Sequence, residues 1–393
     1  MIPYGKQQID AADIEAVTQV LQSTWLTQGP KVPEFEQALR TFCQANHAVA
    51  VNSATSALHI ACLALAVGPG DWVWTSPNSF VASANCALYC GARVDFVDIE
   101  LATGNMCVAA LEAKLLLAEQ QHTLPKVVIP VHFAGQPCDM QKIAALAQRF
   151  GFRIIEDASH AIGATYQGTP IGACQYSDIC VFSFHPVKII TSAEGGMALT
   201  NNPTLARKMQ LLRSHGITSD EQEYTEESHG PWYYQQQVLG FNYRMTDLQA
   251  ALGLSQFSKL QSFVAERHTL AQYYDNAIAQ LPGIIPLVQT ANNYSSYHLY
   301  VVRLTGLTAA QHKHCVIYLR EHGIIGHVHY IPIYLQPFYQ KMGFNADVFP
   351  NAALYYSQAI TLPLYPGLTS AQQDFIIESL RQFLKLPSGL LGA

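Results

Sequence analysis

Phe152-Arg153-Ile154-Ile155-Glu156-Asp157-Ala158-Ser159-His160 is the stretch from which the fold is read. Phe152–Glu156 is short, largely apolar and β-branched, the pattern of a strand buried on both faces, and it gives way to a carboxylate and small residues. Comparable runs stand on either side: Ala48–Asn52, Trp72–Thr75, Arg93–Val97, Lys126–Val131, Asp178–Ser183 and Met197–Thr200. Helical periodicity fills several gaps between them. Asp10 is placed to cap a helix through Leu21, and Pro33–Cys43, Val81–Tyr89 and Met140–Phe150 read as further helices. The helical stretch Ser56–Ala66 stops at Gly68-Pro69-Gly70. Apolar strands separated by helices predict an α/β fold: a large domain over residues 1–255 with a mostly parallel central sheet covered by helices. A long helical region follows from Thr246 to about Leu281. Beyond it, strands at His298–Leu304 and Ile324–Tyr330 and helices at Thr308–Glu321 and Ser370–Leu384 predict a smaller C-terminal α+β domain over 256–393. Ile217–Gly240 is polar and reads as a long surface loop, a kind of segment that is usually functional or mobile.

The whole chain has 393 residues, 49% of them apolar and 13% charged, with a net charge of −6. That composition excludes intrinsic disorder and offers no basic field for nucleic acid. So few charges suggest that part of the surface is hidden in an oligomer. No apolar run approaches the roughly 20 residues of a membrane-spanning helix. Met1–Lys6 lacks the basic-then-apolar pattern of a secretory signal. The nine cysteines form no Cys-x-x-Cys pair, so neither a zinc site nor a disulfide framework is expected, and a reduced, cytoplasmic enzyme is.

The common nucleotide and hydrolase signatures are missing: no Gly-x-Gly-x-x-Gly, no P-loop, no Gly-x-Ser-x-Gly elbow. His312/His314 and His327/His329 lack a third ligand, so no metal is expected. What remains is a group of polar residues at predicted strand ends. Asp157 follows one buried strand, and Ser183 ends another with Lys188 five residues on. Asn52-Ser53-Ala54-Thr55 sits where a third strand passes into a helix. Ligands of open α/β sheets bind along this edge, and a helix N-terminus favours an anion through its free N–H groups and dipole.

A lysine, a carboxylate and a phosphate cradle on one edge are what pyridoxal 5′-phosphate requires. Lys188 can form a Schiff base with its aldehyde. Asp157, ionised, keeps the pyridine nitrogen protonated so that the ring accepts electrons. Phe80 can stack on the ring. Taken singly, Asp157 also fits a cap or an ion-pair partner, Ser53 and Thr55 fit helix caps, and Phe80 fits a core position. Lys188 is the unusual member, a lysine set between Phe182-Ser183-Phe184 and Ile189-Ile190.

Five blocks in order resemble the sugar-nucleotide aminotransferase family of fold type I pyridoxal-phosphate enzymes. They are Asn52–Leu58, Glu156–Gly163, Phe182–Lys188 with Glu194-Gly195-Gly196, Gly240–Met245 and Val328–Pro332. The likeness runs from Ile2 to about Leu384. Leu26-Thr27-Gln28-Gly29, His160, Ser183–Thr191, Arg213–Gly216 and His298-Leu299-Tyr300 resemble the branch that serves pseudaminic acid biosynthesis. That branch makes UDP-4-amino-4,6-dideoxy-N-acetyl-β-L-altrosamine from the corresponding UDP-4-keto sugar.

The resemblance implies roles. Lys188 holds the cofactor covalently and later moves a proton. Asp157 pairs with the pyridine nitrogen, and His160 lies by the ring near its 3-oxygen. Ser53, Ala54, Thr55 and Ser183 hold the phosphate. Asn242 reaches the phosphate from the neighbouring subunit, which makes a homodimer the catalytic unit. Tyr4, Thr24, Trp25, Leu26, Thr27, His329 and Tyr330 match positions lining the sugar-nucleotide pocket, so the N-terminal segment belongs with the large domain. The expected reaction is ping-pong transamination with L-glutamate as amino donor and a UDP-linked keto sugar as acceptor. Perosamine-type, bacillosamine-type and 3-amino-sugar enzymes share these motifs. A sugar dehydratase of the same fold would have histidine at position 188, and a non-catalytic binding protein would have no need of Asp157, Ser183 and Lys188 together.

Overall fold

The apolar runs of the first 200 residues assemble into one seven-stranded sheet in a computed structural model that describes residues 1–386. In chain order the strands are β1 (His47–Val51), β2 (Trp72–Thr75), β3 (Arg93–Phe96), β4 (Val127–Ile129), β5 (Arg153–Asp157), β6 (Ile179–Ser183) and β7 (Gly196–Thr200). They lie side by side as β1-β7-β6-β5-β4-β2-β3. β3, β2, β4, β5 and β6 are parallel, and β7 runs antiparallel to both β6 and β1. Every residue of β4, β6 and β7 is buried, which is why these strands read as unbroken apolar runs.

Helices close both faces. Alternate residues of one strand enter opposite cores, as the two-residue period requires. Ile154 of β5 packs in a cluster with Phe35, Leu115 and Ile143, whereas its neighbour Ile155 packs with Leu58, Ala84 and Met209. The first cluster is covered by α2 (Lys31–Cys43), α5 (Val108–Gln121) and α6 (Met140–Phe150). The second is covered by α3 (Ala54–Ala64), α4 (Ala82–Tyr89) and α7 (Pro203–Arg213). Before them, α1 (Ala11–Leu21) starts at Asp10, whose carboxylate accepts from the amides of Ala12 and Asp13 in a capping box.

The region read as one long helix is two, α8 (Asp247–Phe257) and α9 (Leu260–Ile278), parted at Ser258-Lys259. A third cluster gathers residues 270–383 with Ile2. It lies between α9, α10 (Ala309–Glu321), α13 (Ser370–Leu384) and an antiparallel sheet of β8 (Ile284–Pro286), β9 (Tyr300–Leu304) and β10 (Ala359–Leu362). The short α11 (Pro337–Gln340) and α12 (Pro350–Gln358) lie between α10 and β10.

Two readings need correction. Ile324–Tyr330 is not a strand. Only single bridges hold it, Ile324 to Ile2 and His327 to Thr361, because two different segments share its backbone groups. Ile217–Gly240 is not wholly irregular either, since Ile217-Thr218 pairs with Gln235-Gln236 around a turn of 3₁₀ helix at Glu221–Glu223. Among the described residues no helix is long and apolar enough to cross a membrane.

Candidate active site

The carboxyl ends of β5 and β6 bring Asp157 and Ser183 to one edge of the sheet, and the turn from β1 into α3 brings Ser53–Thr55 to the same edge. β7 joins them from the opposite direction. Its first residue, Gly196, pairs with both Ser183 and Val51. A Cβ at Gly196 would lie 2.6 Å from the Ala54 nitrogen and from the Ser53 carbonyl group. Glycine is therefore what lets the N-terminus of α3 sit against the sheet. Ser53 caps α3, accepting from the Ser56 amide at 3.1 Å, and the amides of Ala54 and Thr55 have no acceptor among the described residues. Two free donors at a helix start, beside the Ser183 hydroxyl, make an anion cradle.

Asp157 is 4% exposed, yet its carboxylate is held only by neutral donors. The Ser83 hydroxyl donates to Oδ2 at 2.6 Å and the Ser159 amide to Oδ1 at 3.1 Å. Ser79 and Ser83 share a 2.7 Å bond on α4's first turn and the loop before it, so the carboxylate has a fixed orientation. Just before it on β5, Glu156 accepts from His132 Nε2 at 2.7 Å while the Cys138 amide donates to His132 Nδ1 at 3.1 Å. This buried arrangement ties the end of β5 to the loop after β4.

Lys188 follows β6 on a turn in which its amide donates to the His185 carbonyl at 2.9 Å. Burial pulls its amine down to about 8, and the Asp157 carboxylate opposes that fall. His160 is 4% exposed. The Ala134 amide donates to its Nδ1 at 3.3 Å, so the neutral ring carries its proton on Nε2, 3.0 Å from the Tyr330 hydroxyl. Burial first, then the charges of Lys188 and His329, hold His160 well below the ordinary histidine range. His329, buried and depressed in the same way, bonds Thr361 Oγ1 through Nδ1 at 2.8 Å and packs its ring 5.0 Å from Tyr4.

These groups line one cavity of about 850 Å³. Of the residues singled out in the sequence, Tyr4, Ser53, Ala54, Thr55, Phe80, Asp157, His160, Ser183, Lys188, His329 and Tyr330 all lie on its wall. Thr24–Thr27 and Asn242 do not. Thr27 bridges Thr246 and the Leu26 carbonyl accepts from Asp247, which pins that segment at the start of α8. Asn242 bridges Ser214, and its carbonyl accepts from Asn52 Nδ2 at 3.4 Å. Among the wall residues that sequence reasoning did not place in the site are Ser83, His298 and Arg320. The i,i+4 spacing of Ser79 and Ser83 beside an otherwise apolar helix was the available signal for Ser83. His298 stood in a motif that resembles the family but without a site role, and Arg320 carried no signal, since only folding brings its helix to this cavity.

The donor set fits pyridoxal 5′-phosphate. The cradle that a side chain at 196 would fill suits a phosphate, the oriented carboxylate suits a protonated ring nitrogen, and the low-lying amine suits an aldehyde.

Comparison with known proteins agrees. Residues 7–381 match the model of the DegT/DnrJ/EryC1/StrS aminotransferase family. The spore coat polysaccharide biosynthesis protein SpsC of Bacillus subtilis is 39% identical, over 98% of this chain and 97% of its own. Helicobacter pylori PseC, an aminotransferase involved in the biosynthesis of pseudoaminic acid, superposes with a TM-score of 0.89 at 32% identity, over 97% of this chain and 98% of its own. Streptococcus pneumoniae Spr1654, a putative sugar aminotransferase solved in PMP and PLP forms, is similar: its PMP form has a TM-score of 0.89 at 33% identity, covering 98% of this chain and 99% of its own. The chain belongs to the DegT/DnrJ/EryC1/StrS aminotransferase family and is a pyridoxal-phosphate-dependent transaminase.

Proposed function

We propose that this enzyme moves an amino group from L-glutamate to C4 of a UDP-linked 4-keto-6-deoxy-N-acetylhexosamine, forming UDP-4-amino-4,6-dideoxy-N-acetyl-β-L-altrosamine for pseudaminic acid biosynthesis. The observation that carries the transfer is the convergence of Lys188, Asp157 and the Ser53–Thr55 cradle on one cavity. Its volume, about 850 Å³, is within the range of ligand sites and leaves room for a sugar beside a cofactor. The likeness to PseC supports the choice of sugar.

Bound pyridoxal 5′-phosphate supplies a carbonyl that condenses with amines and a ring that accepts electrons. The chain supplies the rest. In this proposal Lys188 anchors the cofactor through Nζ and, once released, takes the proton from the donor's Cα at that atom. A depressed pKa keeps enough of the amine neutral to act as a base near neutral pH. Asp157, fixed by Ser83 and Ser159, holds a proton on the ring nitrogen. The Ala54 and Thr55 amides and the hydroxyls of Ser53, Thr55 and Ser183 bind the phosphate. Phe80 and His160 orient the ring. Tyr4, Thr24–Thr27, His329 and Tyr330 receive the sugar nucleotide, with Asn242 contributed by the second subunit of a dimer.

A panel of UDP- and dTDP-linked 4-keto sugars, incubated with glutamate and followed by mass spectrometry, tests this. The expected result is glutamate-dependent amination at C4 of the UDP-linked N-acetylhexosamine. Amination only of a differently linked sugar, or at C3, overturns the substrate while leaving the reaction class intact.

A further inference from the structure

We infer that Arg320 is the residue by which this enzyme recognises the diphosphate of its substrate. The inference rests on the sugar-nucleotide reading above and deepens it.

Four formally charged side chains stand on the cavity wall: Asp157, Glu194, Lys188 and Arg320. Two are acidic and repel phosphate. Lys188 is committed to the cofactor, so a second, dianionic group entering the cavity has one remaining cation of the same subunit to meet. Arg320 enters no ion pair among the described residues, and it is an exposed residue of the cavity wall near the C-terminus of α10. A free planar fork of donors is suited to bidentate contact with phosphate oxygens.

Its position agrees with the shape of the substrate. Lys188 acts on His329, whose ring stacks on His327 with centroids 4.5 Å apart. His327, lowered chiefly by burial, also feels the Arg320 charge. Lys188, His329, His327 and Arg320 all stand on the cavity wall, the two histidines stacked on one another. In a hexopyranose the reacting C4 and the diphosphate-bearing C1 lie on opposite sides of the ring, so a sugar with C4 at Lys188 directs its diphosphate along that wall. Val316 and Tyr356, also on the cavity wall, offer apolar surface for the nucleoside. A plain structural role for Arg320, favouring the negative end of α10's dipole, explains its place on the helix but not its freedom from any carboxylate.

The test compares wild type with Arg320→Gln in the cofactor-loaded enzyme. Calorimetry with UDP should show binding weakened about ten- to hundredfold, the loss of one charge-assisted contact. Arg320→Lys should recover part of it. The donor half-reaction, read as the change in cofactor absorbance on adding L-glutamate without sugar, should be unchanged. Weaker UDP binding with an intact donor half-reaction supports the inference. A slowed donor half-reaction with unchanged UDP binding overturns it, because Arg320 would then read the donor's carboxylate. No change in either, or an equal loss of both, overturns it as well. If wild type binds none of UDP, dTDP and GDP, the substrate class itself falls, a failure separate from that of Arg320.

Discussion

Lys188 and Asp157 oppose each other through one titration. Burial favours the neutral amine and brings it down to about 8, while the carboxylate of Asp157 favours the charged form. The sign of the consequence for stability follows from proton counting. In the cofactor-free chain the folded state releases the Lys188 proton near pH 8, whereas the unfolded state keeps it to about 10.4. Between those values the unfolded state binds more protons, so folding gains from rising pH; below 8 the full cost of a buried charge is present. Replacing Lys188 by Met, an apolar side chain of similar length, removes that cost. Cofactor-free Lys188→Met is expected to melt a few degrees above cofactor-free wild type at pH 6.5, with the gap closing toward pH 10. A gap independent of pH in thermal denaturation would show that packing, not the amine's charge, sets the difference. Asp157→Asn should widen the pH range of the effect, because losing the carboxylate lets Lys188 fall further.

The approach of β7 to α3 depends on a position with no side chain. At Gly196 a Cβ meets backbone atoms at 2.6 Å, and backbone cannot rotate aside. Gly196→Ala is expected to cost about 1–3 kcal/mol in denaturant unfolding and to weaken cofactor retention together with it. Gly68→Ala, at a site with nothing within 4 Å, should stay within about 0.5 kcal/mol. This contact also marks how far the sequence could be read. β2, α6 and α13 were legible to the residue, because apolar runs and amphipathic periods are local signals. So was the cap at Asp10, whose carboxylate needs only amides two and three residues away. The Glu194-Gly195-Gly196 block was visible as a motif, but the reason for Gly196 lies at the start of α3, some 140 residues earlier. Ile324–Tyr330 misled for the opposite reason: its apolar start imitates a strand, while its partners, Ile2 and Thr361, come from opposite ends of the chain. Ser83 lies 74 residues from the carboxylate it orients, and His298 reaches the cavity from the segment just before β9. Lys188, Asp157 and Ser53–Thr55 could be found because each sits at the end of a predicted strand or in a motif block, whereas Ser83 and Arg320, which lie outside those blocks, reach the cavity only through packing.

A single chain leaves part of the proposed site unused. Thr24–Thr27 and Asn242 lie off the cavity they are proposed to serve, while large apolar side chains nearby in sequence face outward: Trp25 is 56% exposed, Trp232 74% and Leu239 81%. Gathered into one patch, exposed apolar side chains of this size mark an interaction surface. The proposed dimer would bring a second copy over these side chains and carry its Asn242 to the first copy's phosphate cradle. The arrangement has a countable consequence. Lys188→Ala and Asn242→Ala are each expected to be inactive or nearly so as pure proteins. In a dimer whose sites are shared, a mixed pair has one site with both Lys188 and Asn242 intact, because the lysine comes from one subunit and the asparagine from the other. Random exchange at equal concentrations makes half of the dimers mixed, each with one working site of two, so the mixture should reach about a quarter of wild-type activity. If every site takes Lys188 and Asn242 from the same subunit, no combination restores one. Subunit exchange, followed by mass spectrometry of differently tagged chains, then decides between the arrangements: full exchange without recovered activity would place Asn242 in its own subunit's site and leave Trp232 and Leu239 to some other contact.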